Sequence, residues 1–387
     1  MYSEEDINSA VTAGALSPEA ARSFRDHMSA MRRMPRGDEE NFRLINSFND
    51  IFVAIGIVIM LVAAGAIGQA LAGNFVYVPP VPPFDGPGPT QAEWSAFQEA
   101  SGRLSNVQTM LAGLLIALTA WPLAEFFTRQ RRMALPSIIL LLGFVGAIFA
   151  AVLGLGMVLG AFDGTTGALI VSAAGLVAGL AAWLHWRRFM VPITVAAGAA
   201  AAAITAIALL VVVVDTLFDV DMANVLLALT FLGGLIVFGI AMRWDISDRE
   251  RITRRSDVAF WLHLLAAPMI AHPVFSSLGV MDNADRIGVG GAVGVVAIYV
   301  LFGLVALAID RRAMLVSALA YVLAALGFLF DRFGAVELAF ALTALVIGSA
   351  LLTLSAFWTP IRNRVVQPLP LRWRERLPVA GAIPAAG

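Results

Sequence analysis

The chain has 387 residues, of which 59% are hydrophobic and only 14% are charged, and its formal net charge is −1. A soluble domain usually carries about 25% charged residues, so this supply is too small to cover a surface exposed to water. The near-neutral charge gives no reason to expect nucleic acid as a partner, and the absence of cysteine excludes disulfides, thiol catalysis and thiolate metal sites. The composition therefore predicts an all-α, polytopic membrane protein whose main partner is the lipid bilayer.

Residues 1–45 are predicted to form a small cytoplasmic helical hairpin and a linker. The first helix ends at Gly14, and Ser17 followed by Pro18 is typical of the start of a second helix. Residues 1–40 are polar and hold several acids, so we expect no cleavable signal peptide. We favour docking of this module on the membrane domain or self-association over a separate ligand site.

The segment "VTAGALSPEAARSF", residues 11–24, is followed by serial pairs of apolar helices. It resembles bacterial predicted multi-pass membrane proteins of uncharacterised function, which begin with a short helical hairpin carrying a Gly-x-Leu/Ile-Ser/Thr-x-Glu motif. The resemblance implies an inner-membrane protein with about ten helices, each of the length that a bilayer requires. It carries no catalytic residues over to this chain.

Ten stretches are long and apolar enough to cross the bilayer, which takes about 20 mainly apolar residues. They lie at 51–73, 107–127, 135–161, 166–186, 189–214, 222–242, 258–277, 288–309, 313–330 and 336–358. With the segments between them they form a predicted ten-helix membrane domain over residues 46–359. A cytoplasmic tail that contains arginine and proline follows at 360–387.

The arginines predict the orientation of the spans, because basic loops are retained in the cytoplasm. If the N-terminus lies inside, only Arg103, Arg286 and Arg332 of the 26 basic residues fall on the outer side. We therefore predict a protein of the bacterial inner membrane with both termini in the cytoplasm.

A repeated hairpin is the predicted architecture of the spans. Double arginines precede four of the five predicted pairs of an outbound and an inbound helix, at 131–132, 187–188, 254–255 and 311–312. Internal repetition of a hairpin explains this spacing, and so does the need for arginine in any cytoplasmic loop. Small residues spaced four apart, which let helices approach closely, occur at Gly156 and Gly160, at Gly175 and Gly179, and at Gly290 and Gly294.

The longest predicted outer segment is 74–106, which begins with a proline-rich stretch that favours an extended chain. Thr90 and Glu93 then form a capping box, and Trp94 and Phe97 lie near one face of the helix that follows. We expect a short helix that lies on the outer membrane surface or covers the bundle.

Most ionisable residues lie near the predicted ends of the spans. Glu125 and Arg129, four residues apart, are expected to form an ion pair at a helix end. The loop 243–256 carries acids among arginines and is interpreted as a solvated charged segment. Deep in the apolar spans we find only His263 and His272, and an ionisable residue in such a place is a functional hypothesis by default.

The candidate intramembrane polar site consists of His263 and His272 with Pro268 and Pro273, all in the seventh predicted span. On a straight helix the two rings point to opposite faces, about 13 Å apart along the axis, so they share a metal only if the helix breaks. The prolines each remove a backbone hydrogen bond, which makes a kinked helix beside a polar cavity one interpretation. In the other, neutral imidazoles bond to neighbouring helices and the prolines only shape the bundle. No metal or cofactor is expected.

Three classes of function compete. We favour a transporter or permease for a neutral, apolar or proton-coupled solute, with a cavity beside the seventh predicted span; the solute itself cannot be named from the sequence. The alternative is a non-enzymatic membrane scaffold or sensor that acts through the cytoplasmic N-terminal module. A membrane enzyme is least favoured, since the chain has no lysine and no predicted outer loop combines histidine with an acid.

Overall fold

The computed structural model describes residues 4–24, 48–81, 88, 90–160, 164–218, 220–251, 253–278, 289–312, 315, 318–319, 321–323, 326 and 339–378. Over these residues the chain is helical and no strand occurs. The helices, in chain order, are α1 (Glu4–Thr12), α2 (Phe48–Ala72), α3 (Gln91–Ala124), α4 (Ala134–Leu159), α5 (Gly164–Phe189), α6 (Ile193–Leu217), α7 (Met222–Ser247), α8 (Arg254–Ser277), α9 (Val289–Ile309), α10 (Ala339–Ala356), α11 (Trp358–Val366) and α12 (Leu371–Arg374).

Seven described helices, α2 to α8, are long and apolar enough to cross a membrane. An eighth candidate is the pair Ala341–Ala356 and Trp358–Val366, which is bent by 77° and passes the same test only if both helices are taken together. The predicted eighth span corresponds to α9, whose apolar stretch Val293–Ile309 is short, and most of the predicted span 313–330 lies outside the described residues. The coarse prediction of a helical multi-pass protein agrees with the structure, whereas the count of ten stays a prediction.

The N-terminal module is described only in part. Helix α1 ends at Thr12, and Gly14 adopts a φ of +72°, a left-handed conformation that glycine accepts at a helix end. The amide of Ala20 donates to the Ser17 hydroxyl at 3.0 Å, which is the cap expected of a second helix. The remainder of the predicted hairpin, from residue 25 onward, lies outside the described residues.

The predicted surface helix in segment 74–106 is instead the beginning of a spanning helix. The capping box is present, since the Glu93 amide donates to the Thr90 hydroxyl at 3.2 Å and the Thr90 amide donates to the Glu93 carboxylate at 2.9 Å. Helix α3 then runs without interruption to Ala124 and continues as a π-helix over Glu125–Gln130. The separate helix was wrong because nothing between Gln91 and the apolar stretch ends the helix.

Consecutive helices pack against each other, most extensively in the pairs α3–α4, α5–α6 and α7–α8. Short loops join the helices of each of these pairs, and the double arginines 131–132, 187–188 and 254–255 lie in or beside these loops. We call this end of the bundle the arginine-rich end. The helices of the most closely packed pairs are therefore connected at the arginine-rich end. The predicted hairpins instead paired each helix with its other neighbour in the chain, across the outer turns.

Glycine allows helices α3 and α4 to touch at the backbone. A Cβ atom added at Gly113 would lie 2.5 Å from the Ala147 carbonyl oxygen and 2.7 Å from the Ala151 amide nitrogen. A Cβ atom at Gly154 would meet the Met110 amide nitrogen at 2.6 Å. These contacts leave no room for a methyl group, so the sequence needs glycine there for close approach.

Two of the predicted glycine pairs coincide with a close contact, each at one member only. A Cβ atom added at Gly156 would collide with Ile170, and one added at Gly175 would lie 2.5 Å from the Thr205 hydroxyl. The other predicted positions are in ordinary contact or open space, namely Gly160, Gly179, Gly290 and Gly294.

We expect Gly113→Ala to lower the free energy of unfolding by about 1–3 kcal/mol, because the new methyl group forces the backbones of α3 and α4 apart. Alanine itself favours a helix by about 1 kcal/mol over glycine, so the matched variant Gly146→Ala, whose Cβ atom would meet nothing within 4 Å, should be neutral or stabilising. Thermal unfolding of both full-length variants in detergent checks this. Equal midpoints would contradict the contact.

Candidate functional site

Helix α8, the seventh predicted span, is the most enclosed of the spanning helices. In its most apolar stretch of 18 residues, 56% of the residues are buried inside the protein, against 39% or less in the corresponding stretches of the other six spanning helices. The Thr253 side chain caps its start by accepting from the Arg255 amide at 3.2 Å. The helix continues through Pro268 and Pro273 without a break, so the interruption that would let both histidines bind one metal is absent.

His263 lies fully buried near the arginine-rich end, in contact with the last turn of α7. Its Nε2 atom lies 2.8 Å from a carboxylate oxygen of Asp245, which is itself only 1% exposed. The edge of the Phe238 ring packs against the imidazole at a centroid distance of 5.2 Å. The histidine therefore joins α8 to α7 through a buried polar contact.

Arg311, just after the end of α9, completes this contact. Its guanidinium, 2% exposed, forms an ion pair with Asp245 and donates to the carbonyl and the hydroxyl oxygens of Ser256 at 3.1 and 3.2 Å. We call Asp245, Ser256, His263 and Arg311 the buried polar network. It ties the ends of α7, α8 and α9 together.

The prediction of a solvated segment at 243–256 was wrong for two of its acids. Helix α7 extends to Ser247, so Asp245 lies in its last turn and faces the bundle. Asp248 is 9% exposed and accepts from the amide and the hydroxyl of Thr253 at 2.9 and 2.7 Å. The local sequence is charged throughout, but folding divides these acids into buried and exposed ones.

A second cluster lies next to the network and is centred on Asp310. Its carboxylate pairs with Arg251 at 2.9 Å and accepts from the Trp358 indole nitrogen at 2.6 Å, and Arg362 lies 3.7 Å away. Burial is the largest effect on the pKa of Arg251, which it lowers, and the positive charge of nearby Arg311 lowers it further. The acids of both clusters therefore offset a concentration of buried positive charge.

The described part of the C-terminal tail is attached to this cluster. Arg362 donates to the Leu307 carbonyl at 3.1 Å and to the Pro378 carbonyl at 2.8 Å, and Arg249 donates to the Leu377 carbonyl at 3.0 Å. Helix α11 therefore lies across the end of the bundle rather than extending away from it.

His272 has a separate environment, two and a half turns along α8. It is half-buried, and its Nδ1 atom lies 2.9 Å from the hydroxyl of Tyr321, whose ring stacks on Phe275 at 4.5 Å. Pro268 is exposed on the outside of the bundle and Pro273 is buried. The four predicted site residues are thus not brought together, and each histidine has its own hydrogen-bond partner on another part of the chain.

Sequence reasoning overlooked a second fully buried histidine. His185, near the arginine-rich end of α5, is fully buried among the rings of Trp121, Phe144 and Phe189, and its Nδ1 atom lies 3.4 Å from the Thr194 hydroxyl. A histidine at the end of an apolar stretch looks interfacial, so only the packing of α3, α4 and α5 reveals its burial.

Glu125 makes the predicted ion pair with Arg129 at 3.4 Å. It also pairs with Arg188 at 2.6 Å, which links the π-helical end of α3 to α5. The second contact has no local signal, because the two residues are far apart in the chain.

An apolar cleft lies in the half of the bundle away from the arginine-rich end. It encloses about 450 Å³ between α5, α6, α7 and α8, and Thr230 supplies the only polar side chain of its lining. Leu265 and Met269 line it from α8, on either side of Pro268. Ile204 and Leu226 are partly exposed, so the cleft opens sideways between the helices. None of the predicted site residues lines it.

These observations define the class of protein: a helical, multi-pass membrane protein with buried polar contacts at the arginine-rich end and an apolar cleft in the other half of the bundle. No family model matches the chain, and no curated protein or solved structure is significantly similar to it.

Proposed function

We propose that this protein is an inner-membrane permease that moves a neutral, apolar solute, which it binds in the apolar cleft between α5, α6, α7 and α8. The observation that carries the proposal is the cleft itself. Its lining offers dispersion contacts and almost no hydrogen-bonding groups, so a charged or strongly polar solute would lose its hydration there without compensation. An apolar molecule already dissolved in the bilayer has no such cost.

The size and the opening of the cleft support a small lipophilic ligand. Small-molecule sites generally enclose about 300–1,000 Å³ and are lined mainly by apolar side chains. The cleft falls in this range with about 450 Å³. Because it opens sideways, solute enters from the hydrocarbon region and needs no aqueous channel.

Helix α8 supplies the element that moves in this proposal. Pro268 lies between the two lining residues of α8, and it removes the backbone hydrogen bond to the Leu264 carbonyl. A span with one missing bond bends there at lower cost, as in the interrupted helices of transporters. His263 and His272 lie on either side of this point and hold α8 to its neighbours. They are positioning residues in this proposal.

The placement in the inner membrane, with ten spans and both termini in the cytoplasm, belongs to the same proposal. The double arginines that join the closest helix pairs support it, because basic loops stay on the cytoplasmic side. The arginine-rich end is then the cytoplasmic end, and the cleft lies toward the outer leaflet.

Filling the cleft tests the function. Ala203→Phe places a ring in the cleft, whereas Ala206→Phe on the same helix adds an equal ring at an exposed position outside the lining. We expect membrane vesicles containing the protein to clear the uncharged lipophilic dye N-phenyl-1-naphthylamine faster than empty vesicles. Ala203→Phe should remove this difference and Ala206→Phe should retain it, at equal protein levels.

Two further outcomes decide against the proposal. If both phenylalanine variants clear the dye like the unmodified protein, the cleft is not the site. If both variants are active in this way, and a protein without residues 1–33 no longer restores the phenotype of cells that lack the gene, then the scaffold or sensor function of the N-terminal module replaces the permease.

A further inference from the structure

A second cavity opens at the arginine-rich end, where α7 ends and α8 begins. It encloses about 390 Å³ and is lined by Ile240, Arg243, Trp244, Ser247 and Arg255. We call it the arginine groove. It lies at the opposite end of these helices from the apolar cleft, so nothing in the proposed transport function accounts for it.

The two arginines of the groove carry charge that no neighbouring acid neutralises. Both are exposed, and within the described part of the chain neither guanidinium contacts a carboxylate. Among the nearest acids along the chain, Asp245 is engaged with His263 and Arg311 and Asp248 with Thr253. Asp257, two residues after Arg255, is half-buried, and in the described part of the chain it makes no ion pair with either groove arginine. The groove therefore presents two unpaired cations to whatever fills it.

The groove also continues into an apolar surface. Ile236 and Ile240, one turn apart on α7, are 65% and 41% exposed, and they lead from the hydrocarbon part of the span up to Arg243. The half-buried Trp244 stands beside them, as indoles do where a spanning helix meets the headgroups. One end of the groove thus suits an acyl chain and the other an anion.

The start of α8 adds a further preference for an anion. Arg255 is the second residue of this helix, where the backbone amides already carry partial positive charge and acids are the favourable neighbours. A cation at this place is unfavourable, and Asp257, the acid of this first turn, makes no ion pair with Arg255 in the described part of the chain, so a further anion close by is favourable. A phosphate group between Arg243 and Arg255 would supply it, since a guanidinium binds phosphate through two parallel hydrogen bonds.

We propose that the arginine groove binds the phosphodiester headgroup of an anionic phospholipid, with Arg243 and Arg255 on the phosphate and an acyl chain along Ile236 and Ile240. Ser247 limits which headgroup fits the groove. Its hydroxyl donates to the Trp244 carbonyl at 2.7 Å, so its oxygen is left to accept a hydrogen bond. A glycerol headgroup donates such a bond and a choline headgroup does not, which favours phosphatidylglycerol.

The test measures lipid retention by the full-length protein in detergent, using native mass spectrometry. Phosphatidylglycerol, phosphatidylcholine and inorganic phosphate are the probes. The variant R243Q/R255Q removes both groove cations, and R254Q/R364Q removes two exposed arginines outside the groove. We expect affinity for phosphatidylglycerol to fall by about tenfold or more in the first variant, since each surface arginine contributes about 1 kcal/mol toward an anionic lipid.

The control variant should bind phosphatidylglycerol like the unmodified protein, and phosphatidylcholine should bind weakly to all three. Millimolar inorganic phosphate should not displace the lipid. Equal retention by R243Q/R255Q and R254Q/R364Q overturns the site, and equal retention of both lipids overturns the headgroup assignment. Displacement by inorganic phosphate overturns the lipid in favour of a soluble anion. None of these readouts depends on transport of the dye, so this proposal and the permease can fail separately.

Discussion

Asp245→Ala is expected to lower the free energy of unfolding by about 3–5 kcal/mol, the largest effect of any single exchange at the arginine-rich end. The Arg311 guanidinium is 2% exposed and depends on this carboxylate for its charge partner, and His263 Nε2 loses its contact as well. A buried cation left without its anion keeps the full desolvation cost and none of the Coulomb attraction. The midpoint of thermal unfolding in detergent measures the loss.

Glu250→Ala is the matched control for this exchange. It removes an acid of equal charge five residues away, from an exposed position in the loop between α7 and α8. The stability of Glu250→Ala should stay within about 0.5 kcal/mol of the unmodified protein, as is usual for surface exchanges. If the two alanine variants unfold alike, Asp245 does not hold Arg311 in the way described.

A double exchange separates two contributions to stability, the attraction within the ion pair and the packing of the volume that its side chains fill. Asp245→Leu with Arg311→Met replaces both charges by apolar groups of similar length, and buried pairs replaced in this way often cost little. We expect the double variant to be more stable than Asp245→Leu alone. A double variant that loses the sum of both single effects would show that the two side chains do not interact.

The spans were predictable from the sequence because the bilayer restricts what can lie within it. Apolar stretches such as 51–73 have to be helical, since lipid offers no partners for backbone amides and carbonyls. Contacts within one helix turn were also predictable, as the pair of Glu125 and Arg129 and the capping box of Thr90 and Glu93 confirm. In both cases the partners are close in the chain, so spacing alone brings them together.

The buried polar network was not predictable in this way. Two whole helices, α8 and α9, lie between Asp245 and Arg311 in the chain, and the charged residues near Asp245 include exposed ones such as Arg243 and Glu250. Which acid of this segment faces inward depends on where α7 ends, and a helix end is uncertain by about one or two residues even in a known structure. His272 and Tyr321 illustrate the same point, since their contact is decided by the packing of distant helices.

The histidines that attracted the functional hypothesis have structural partners in the protein. Each ring has one nitrogen within hydrogen-bond distance of a side chain from another element, as most buried polar groups do. The apolar cleft was not indicated by any polar residue, because its lining looks like any other lipid-facing stretch. Buried charged residues in a membrane protein therefore indicate where helices are held together more readily than they indicate an apolar binding site.

Asp310→Asn is expected to release the C-terminal tail from the arginine-rich end. The carboxylate of Asp310 holds Arg251 at 2.9 Å and lies 3.7 Å from Arg362, and Arg362 in turn donates to the Pro378 carbonyl in the tail. Asparagine keeps the shape of the side chain and tolerates the positive φ of 58° at this position, so only the charge is removed. Two guanidiniums that are largely shielded from water then lose their counter-charge, and undocking of α11 lets them reach water.

The natural absence of cysteine makes this undocking measurable with single thiols. Leu377→Cys places a thiol at a position that is 8% exposed, and Trp373→Cys places one at a position that is 67% exposed. In the Asp310→Asn background the thiol at position 377 should react with a polar maleimide about tenfold faster or more, which corresponds to a loss of about 1.4 kcal/mol in docking. The reaction at position 373 should be unchanged, because it is already exposed.

Glu375→Gln provides the control for charge alone, since it removes one exposed acid from the tail itself. It should leave the thiol at position 377 protected. Equal protection in Glu375→Gln and Asp310→Asn would mean that the carbonyl contacts of Arg249 and Arg362 hold the tail without the charge of Asp310. Selective exposure in Asp310→Asn would make this carboxylate the element that fastens the end of the chain to the bundle.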